Sequence, residues 1–245
     1  MIDSKKILVI IPARGGSKGL PRKNIKLLNG KPLISYTIQA AKKSKFVDRV
    51  IVSTDDLEIA QISKDCGAEV PFIRPDELSG DNSSTVEALK HAVVWLKENE
   101  GYKPDLICVL QCTSPLRSSK DIDGTIQKLF ETDKDAAVSV CEVEVNPYWT
   151  NIFDGDKLEY FIPEGKNIVR RQELPKIYRL NGAVYLIKTE VFLEKGTLEP
   201  DNITGYIMNN SDSVDIDDEI DFCLAEALLH NREIKNAQDS SSNGY

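Results

Sequence analysis

The sequence predicts an α/β fold in three layers, a mostly parallel β-sheet covered by helices on both faces. Short β-branched apolar runs recur along the chain, and each is followed by an amphipathic stretch of helical length. The runs are nearly continuous in apolar residues, as strands buried on both faces must be. At 245 residues and 41% hydrophobic content, there is material for a substantial core.

ILVII (7–11) is the first predicted strand, with a helix near 32–43. RVIVST (49–54) precedes a helix at 56–65, and the run EVPFI (69–73) precedes one at 84–98. DLICVLQ (105–111), a helix at 119–132 and AAVSVCEV (136–143) continue the alternation. Between 144 and 180 the rhythm breaks into aromatic alternation around DGD (154–156), which predicts a hairpin-bearing insertion within a single domain over 1–235. GAVYLI (182–187), a short helix, GYIMN (205–209), SVDID (213–217) and a helix at 218–230 follow. The polar tail 236–245 is expected to be disordered.

The net charge of −8 disfavours nucleic acid and anionic membranes as partners of the whole molecule. It is unevenly spread. Ser4 to Val47 holds eleven of the 31 basic residues and no acidic one, leaving 20 basic against 39 acidic elsewhere. A local cationic site on an acidic body is the expectation. No apolar run reaches the ~18 residues of a membrane span, and five cysteines without CxxC spacing read as reduced thiols. A cytoplasmic protein is expected.

The cations concentrate in IPARGGSKGLPRKN (11–24), directly behind the first strand. Glycines 15, 16 and 19 allow positive φ and close approach, so their N–H groups are expected to form an anion nest. Arg14, Lys18, Arg22 and Lys23 would neutralise several negative charges. The loop matches neither G-x-x-x-x-G-K-[ST] nor G-x-G-x-x-G. DSVDIDDEID (212–221) supplies the complement: Asp215 and Asp217 share one face of an extended segment, suited to a hard divalent cation such as Mg²⁺. LQCTSPLR (110–117) and IRPDELSGDNSST (73–85) lie on the same rim, with Gln111, Arg74 and small hydroxyls able to contact a nucleotide or sugar. His91 and His230 fall on predicted helices away from these motifs.

In this order, IPARGGSKGLPRKN, IRPDEL, LQCTSPLR, RLNGAVYL and DSVDIDDEID resemble the acylneuraminate cytidylyltransferases, the CMP-sialic acid or CMP-nonulosonic acid synthetases, over roughly Ile7 to Leu229. The resemblance implies the nucleotide-diphospho-sugar-transferase (Rossmann-like) version of the three-layer fold. It implies Mg²⁺-dependent transfer of CMP from CTP to a nine-carbon α-keto acid sugar, with release of pyrophosphate. By similarity, Arg14, Lys18 and Lys23 hold the triphosphate and Asn24 the ribose, while Ala13, Arg74, Ser83 and Thr85 surround the cytosine. Gln111 contacts both substrates; Arg171, Arg179, Asn181 and Tyr185 bind the sugar acid; Asp215 and Asp217 bind the metal. Arg14, Lys23, Gln111 and Asp217 form the catalytic set. The resemblance also implies a homodimer, with the 144–180 insertion making the contact and reaching the partner's site.

Cys112 stands where the family commonly has Pro. Trp149 stands where sialic-acid-specific bacterial members often carry Lys, which points either to a related acceptor such as legionaminic or pseudaminic acid or to packing at the dimer contact. Two other readings remain open from the residues: a non-catalytic nucleotide or sugar-phosphate binder, and a sister enzyme such as a CMP-KDO synthetase.

Overall fold

A computed structural model describes residues 5–16, 19–80 and 83–242, with side chains to 235. Its central sheet has six strands: β1 (Ile7–Pro12), β4 (Arg49–Ser53), β5 (Leu106–Val109), β6 (Ala136–Glu142), β9 (Tyr178–Lys188) and β10 (Ile203–Ile207). They lie in the order β10-β6-β9-β5-β1-β4, and β9 alone runs antiparallel to its neighbours. The predicted mostly parallel sheet is therefore present.

Both faces are covered. Along β1, Ile7, Val9 and Ile11 pack with Ile34 and Ile38 of α1 (Leu33–Lys42), Ile59 of α2 (Leu57–Asp65) and Ile122 and Ile126 of α4 (Ser119–Thr132). Leu8 and Ile10 point the other way, onto Leu89, Val93 and Leu96 of α3 (Thr85–Glu100) and Phe192 of α5 (Thr189–Lys195). Alternate residues of one strand feeding two apolar layers are what make the run continuous in hydrophobicity. A third cluster joins Leu20, Leu28 and Leu33 to Ile216, Phe222 and Ala225, fastening α6 (Glu219–Ser242) and the segment before it to the first loop.

Three expectations are corrected and one short ribbon is added. EVPFI forms no strand; Glu69 makes a single bridge to Ile51, and Pro71 has no N–H to extend a ladder. SVDID is not in a sheet either: the Ile216 N–H donates to the Thr113 carbonyl at 2.8 Å, so the segment is tied to a loop. A two-stranded ribbon, β2 (Leu27–Leu28) and β3 (Lys31–Pro32), turns at Asn29-Gly30, whose φ values of 46° and 74° suit a type I′ hairpin. Finally, α6 continues to Ser242, into the stretch expected to be disordered, because a helix already nucleated and anchored by Phe222 and Ala225 extends through residues of ordinary propensity.

Within 144–180, β7 (Asn151–Asp154) and β8 (Lys157–Tyr160) form the predicted hairpin around Gly155, and short 3₁₀ turns and irregular backbone lead to β9, which starts at Tyr178.

Candidate active site

The loops after β1, β4, β5 and β10, the N-terminus of α3 and the start of the reversed β9 gather at the edge of the sheet where the parallel strands end, the usual ligand edge of such folds. A cleft of about 670 Å³ opens there. Its walls include Arg14, Gly19, Lys23, Asn24, Arg74 and Thr85 on one side, Gln111 and Thr113 from the loop after β5, and Tyr185, Leu198, Glu199 and Asp217. A recess of about 310 Å³ adjoins it, sharing Pro12, Arg14, Arg74 and Thr85 and adding Ser83.

The cationic loop and the aspartate segment meet directly. Lys23 Nζ donates to the Ile216 carbonyl at 2.6 Å and lies 3.4 Å from Asp217 Oδ1. A Cβ on Gly19 would collide with the Asp217 carbonyl, so this glycine is fixed by close approach. The expected positive-φ nest is not what the glycines form. Neither Gly15 nor Gly16 has positive φ, which in this loop falls on Arg22 at 55°. The Gly15 N–H donates to Asp55 Oδ1 at 3.1 Å, so the protein's own carboxylate takes that donor. Lys18 lies outside the described residues. Arg22, expected to face an anion, pairs instead with Asp56 and Glu58, which hold the α2 entrance.

Asn24 is buried and donates from Nδ2 to the Arg14 carbonyl at 2.9 Å, bracing the backbone of that arginine. Arg14 Nη1 reaches the Gly80 carbonyl at 3.3 Å. Arg74 is 5% exposed and donates through Nε to Ser53 Oγ at 3.1 Å and through Nη2 to the Ser53 carbonyl; burial lowers its pKa. Ala13 lies in the core with its N–H committed to the Ser53 carbonyl at 3.0 Å, so only its backbone oxygen is available to a base.

Asp215 is half-buried. Burial holds its carboxyl above the usual range, against the nearby Thr113 hydroxyl, while the Asp217 charge pushes the same way and Lys23 and Arg179 oppose. Its Oδ1 is buried with no partner, an acceptor left for something not supplied by the described residues. Gly182, at φ 71°, leaves the space beside it: a Cβ there would stand 3.2 Å from Asp215 Oδ2 and 3.6 Å from Gln111 Oε1. Asp217 is exposed. An unpartnered acceptor with a second carboxylate two residues away fits a Mg²⁺ ion that takes its remaining ligands from phosphate and water. Among the described residues no cluster of three or more His, Cys, Asp or Glu ligands exists.

The residues assigned to the sugar acid divide. Tyr185 lines the cleft. Asn181 does not: it is 1% exposed, accepts from Ser139 Oγ at 2.6 Å and donates to Ser213 Oγ at 2.9 Å. That stitch closes the bulge where β6 slips register against β9 between Val138 and Val140, and so shapes the site from beneath. Arg179 is held by Glu144 at 2.8 Å, which raises its pKa. Arg171 lines a separate cavity of about 560 Å³ under the insertion, with Glu144 and Trp149, whose Nε1 donates to the Ile168 carbonyl at 2.9 Å.

Arg117 closes LQCTSPLR. It is 3% exposed, and its Nη1 donates to the carbonyls of Gln111 at 3.2 Å and Ala183 at 2.9 Å, locking the Gln111 turn to β9. Burial lowers its pKa to about 10. Cys108 and Cys112 beside it have thiols pushed up to about 12 by burial, and all five cysteines are free. His91 packs edge-on against Phe72, its ring centroid 4.8 Å away, and burial lowers its pKa.

A cleft of nucleotide size, cationic on one wall and acidic on the other, at the carboxyl ends of a parallel sheet defines a nucleotide-handling α/β protein. The cytidylyltransferase family model matches residues 8–237, and the chain belongs to that family. It is 33% identical to a CMP-N,N'-diacetyllegionaminic acid synthase of Legionella pneumophila over 227 residues, 91% of this chain and 96% of that one. It is 31% identical to the post-translational flagellin modification protein B of Campylobacter coli, over 94% and 97%. It is also 35% identical to an N-acylneuraminate cytidylyltransferase of Escherichia coli, over 90% of this chain and 51% of that one. Among solved structures, a CMP:2-keto-3-deoxy-manno-octonic acid synthetase complexed with CTP superposes with TM-score 0.69 at 19% identity, covering 93% of this chain and 99% of that one. The shared fold is thereby established.

Proposed function

We propose that this chain is a Mg²⁺-dependent nucleotidyltransferase that moves CMP from CTP to the anomeric hydroxyl of a nine-carbon α-keto acid sugar. The observation that carries this reading is the convergence of the residue 14–24 loop, Gln111, Tyr185 and Asp217 on one cleft, with the Asp215 carboxylate against Gly182 behind Gln111. The relatives support the substrate class, since they are named for the activation of legionaminic, pseudaminic and neuraminic acids.

In the reaction, the sugar hydroxyl oxygen bonds to the α-phosphorus while the bond from that phosphorus to the bridging oxygen breaks. Pyrophosphate departs, and the hydroxyl proton is lost to a base or water. Catalysis of such a transfer is mainly positioning and electrostatic stabilisation. Arg14 and Lys23 supply positive charge to the phosphates, and the small recess with Arg74, Ser83 and Thr85 takes the cytosine. Gln111, held from behind by Arg117, sits where donor and acceptor meet. Asp215 and Asp217 would hold Mg²⁺, which when bound neutralises charge on the phosphates and pyrophosphate.

The insertion belongs to a dimer in this reading. Phe153 is 77% and Val169 84% exposed, with Ile152, Leu158 and Phe161 also exposed on the same insertion, an apolar surface that a second copy would cover. Arg171, remote from its own cleft, would then serve across the contact. Free cysteines suit a cytoplasmic enzyme.

The test is pyrophosphate release from CTP and Mg²⁺ with N-acetylneuraminate, di-N-acetyllegionaminate and di-N-acetylpseudaminate. Release with at least one acid is expected. Silence with all three, alongside measurable CTP binding, would replace the enzyme with the non-catalytic binder. Release with KDO alone would move the chain to the sister activity.

A further inference from the structure

The cleft contains a carboxylate that the reading above does not use. Glu199 lines it beside Leu198 and Tyr185, yet its side chain makes no hydrogen bond or ion pair among the described residues. Asp217, the other acid of the lining, faces Lys23. Two anions, a triphosphate and a sugar carboxylate, must enter this cleft, and a spare carboxylate repels both unless donors or a positive charge meet it there.

Its position says which substrate it meets. The base recess shares Arg14, Arg74 and Thr85 with the cleft but neither Tyr185, Leu198 nor Glu199. Glu199 belongs instead to the end lined by Tyr185, whose hydroxyl pKa is raised by burial and further by the Glu199 and Asp215 charges. The loop is also held in place. Gly196 ends α5 at φ 63°, Leu198 packs against the core cluster containing Phe192 and Ile203, and the Glu199 N–H donates to Thr197 Oγ1 at 3.1 Å. A carboxylate on a fixed loop presents its charge to the ligand without first ordering the chain.

We infer that Glu199 is a specificity-determining residue of the acceptor end, placed to pair with a positively charged nitrogen substituent on the sugar acid. This rests on the proposed function. It adds to it a substituent class, amine or amidine, set against neutral acyl amides.

The experiment compares kcat/KM for two forms of whichever nine-carbon acid the wild type accepts, carrying an N-acetyl or an N-glycyl group on the same nitrogen. The two differ by one terminal ammonium. Wild type is expected to favour the N-glycyl form, and Glu199→Gln, which keeps the shape and one acceptor but removes the charge, to lower that preference about tenfold, the size of one modest charge pairing. The preference should also shrink as salt is raised. Glu199→Ala, with a circular dichroism spectrum matching wild type, guards against a folding artefact and should lower the preference as well. An equal preference in wild type and both variants, or rejection of the N-glycyl form by wild type, overturns the inference and leaves Glu199 a solvated surface acid while the transferase stands. A wild type inert with every acid removes the transferase reading itself.

Discussion

Gly182→Ala separates backbone strain from damage to the site. Gly182 is buried at φ 71°, a conformation that costs an L-residue roughly 1–2 kcal/mol. For a domain of this size that corresponds to a fall in Tm of about 2–8 °C. The new methyl would also stand 3.2 Å from Asp215 Oδ2 and 3.6 Å from Gln111 Oε1, so the carboxylate must retreat by a few tenths of an ångström. Misplacement on the scale of 1 Å costs about a hundredfold in rate, and a loss of turnover of about tenfold is expected. Gly30→Ala supplies the control. Its φ of 74° imposes the same strain, but nothing lies within 4 Å of a Cβ there, so its Tm should fall comparably while pyrophosphate release is retained. Thermal melts and pyrophosphate assays on both variants decide the matter. Equal activity in the two, or a lower activity in Gly30→Ala, would refute the placement of Asp215 and Gln111 at the reacting centre.

Asp217→Asn should lower turnover more than tenfold without changing Tm, since its carboxylate is exposed and its charge serves the nucleotide site; unchanged turnover would remove the metal assignment. Arg74→Met should leave the ligand-free Tm equal or higher, because an unpaired buried guanidinium is replaced by an apolar chain of similar length. The same variant should lose the CTP-induced stabilisation, about 2.7 kcal/mol at a hundred times Kd, or about 5–10 °C in a melt; a retained shift would clear Arg74 of nucleotide binding. At Asp105, the Lys6 N–H at 2.8 Å holds the carboxyl below its ordinary range, aided by Lys5. A depressed carboxylate stabilises above its unfolded pKa of ~3.9 and loses that contribution as pH falls through the folded value. Urea unfolding should therefore show wild type more stable than Asp105→Asn at pH 6 and the two converging near pH 3; a gap that stays constant would contradict the shift.

The strands of the core were legible because burial on both faces leaves continuous apolar runs, and ILVII is the clearest case. The failures have physical causes of their own. EVPFI has strand composition, but Pro71 interrupts donation, and only tertiary context decides that Glu69 alone reaches Ile51. The Asn29-Gly30 turn was readable in principle, yet its strands are two residues each, too short for any alternation to register. Within the site, residues joined by opposite charge came together: the loop of Arg14 and Lys23 with the segment of Asp215 and Asp217. Resemblance at Asn181 and Ala13 could not distinguish a residue that touches a ligand from one that shapes the wall behind it, because a motif matches residue type and order along the chain, not the direction of a side chain. Gly182 and Glu199 carried no local signal. One depends on a contact with Asp215 across 33 positions, the other on where a loop end comes to rest.

Charge shows the same division between count and placement. Of the eleven cations between Ser4 and Val47, Lys5 is tied to Asp105, Arg22 to Asp56 and Glu58, and Lys26 to Glu219, so much of the apparent cationic excess fastens the loop to the acidic body. Among the described residues the field of the cleft comes instead from Arg14, Lys23 and Arg74, backed by Arg117, and two of these four are almost fully buried. Neither Arg74 nor Arg117 has a carboxylate within ion-pair distance among the described residues; the hydrogen bonds they make go to backbone carbonyls and the Ser53 hydroxyl, and Arg117 Nε and Nη2 have no partner there. A guanidinium held this way is costly in the empty protein, because carbonyl dipoles replace only part of its lost hydration. It is also poorly screened, so its attraction for a polyphosphate exceeds that of a surface lysine at the same distance. A chain of net charge −8 can thus hold anions in one cleft and repel them elsewhere, provided that some of the charges at that cleft, as with Arg74 and the Arg117 behind it, are buried without a carboxylate partner before the ligand arrives.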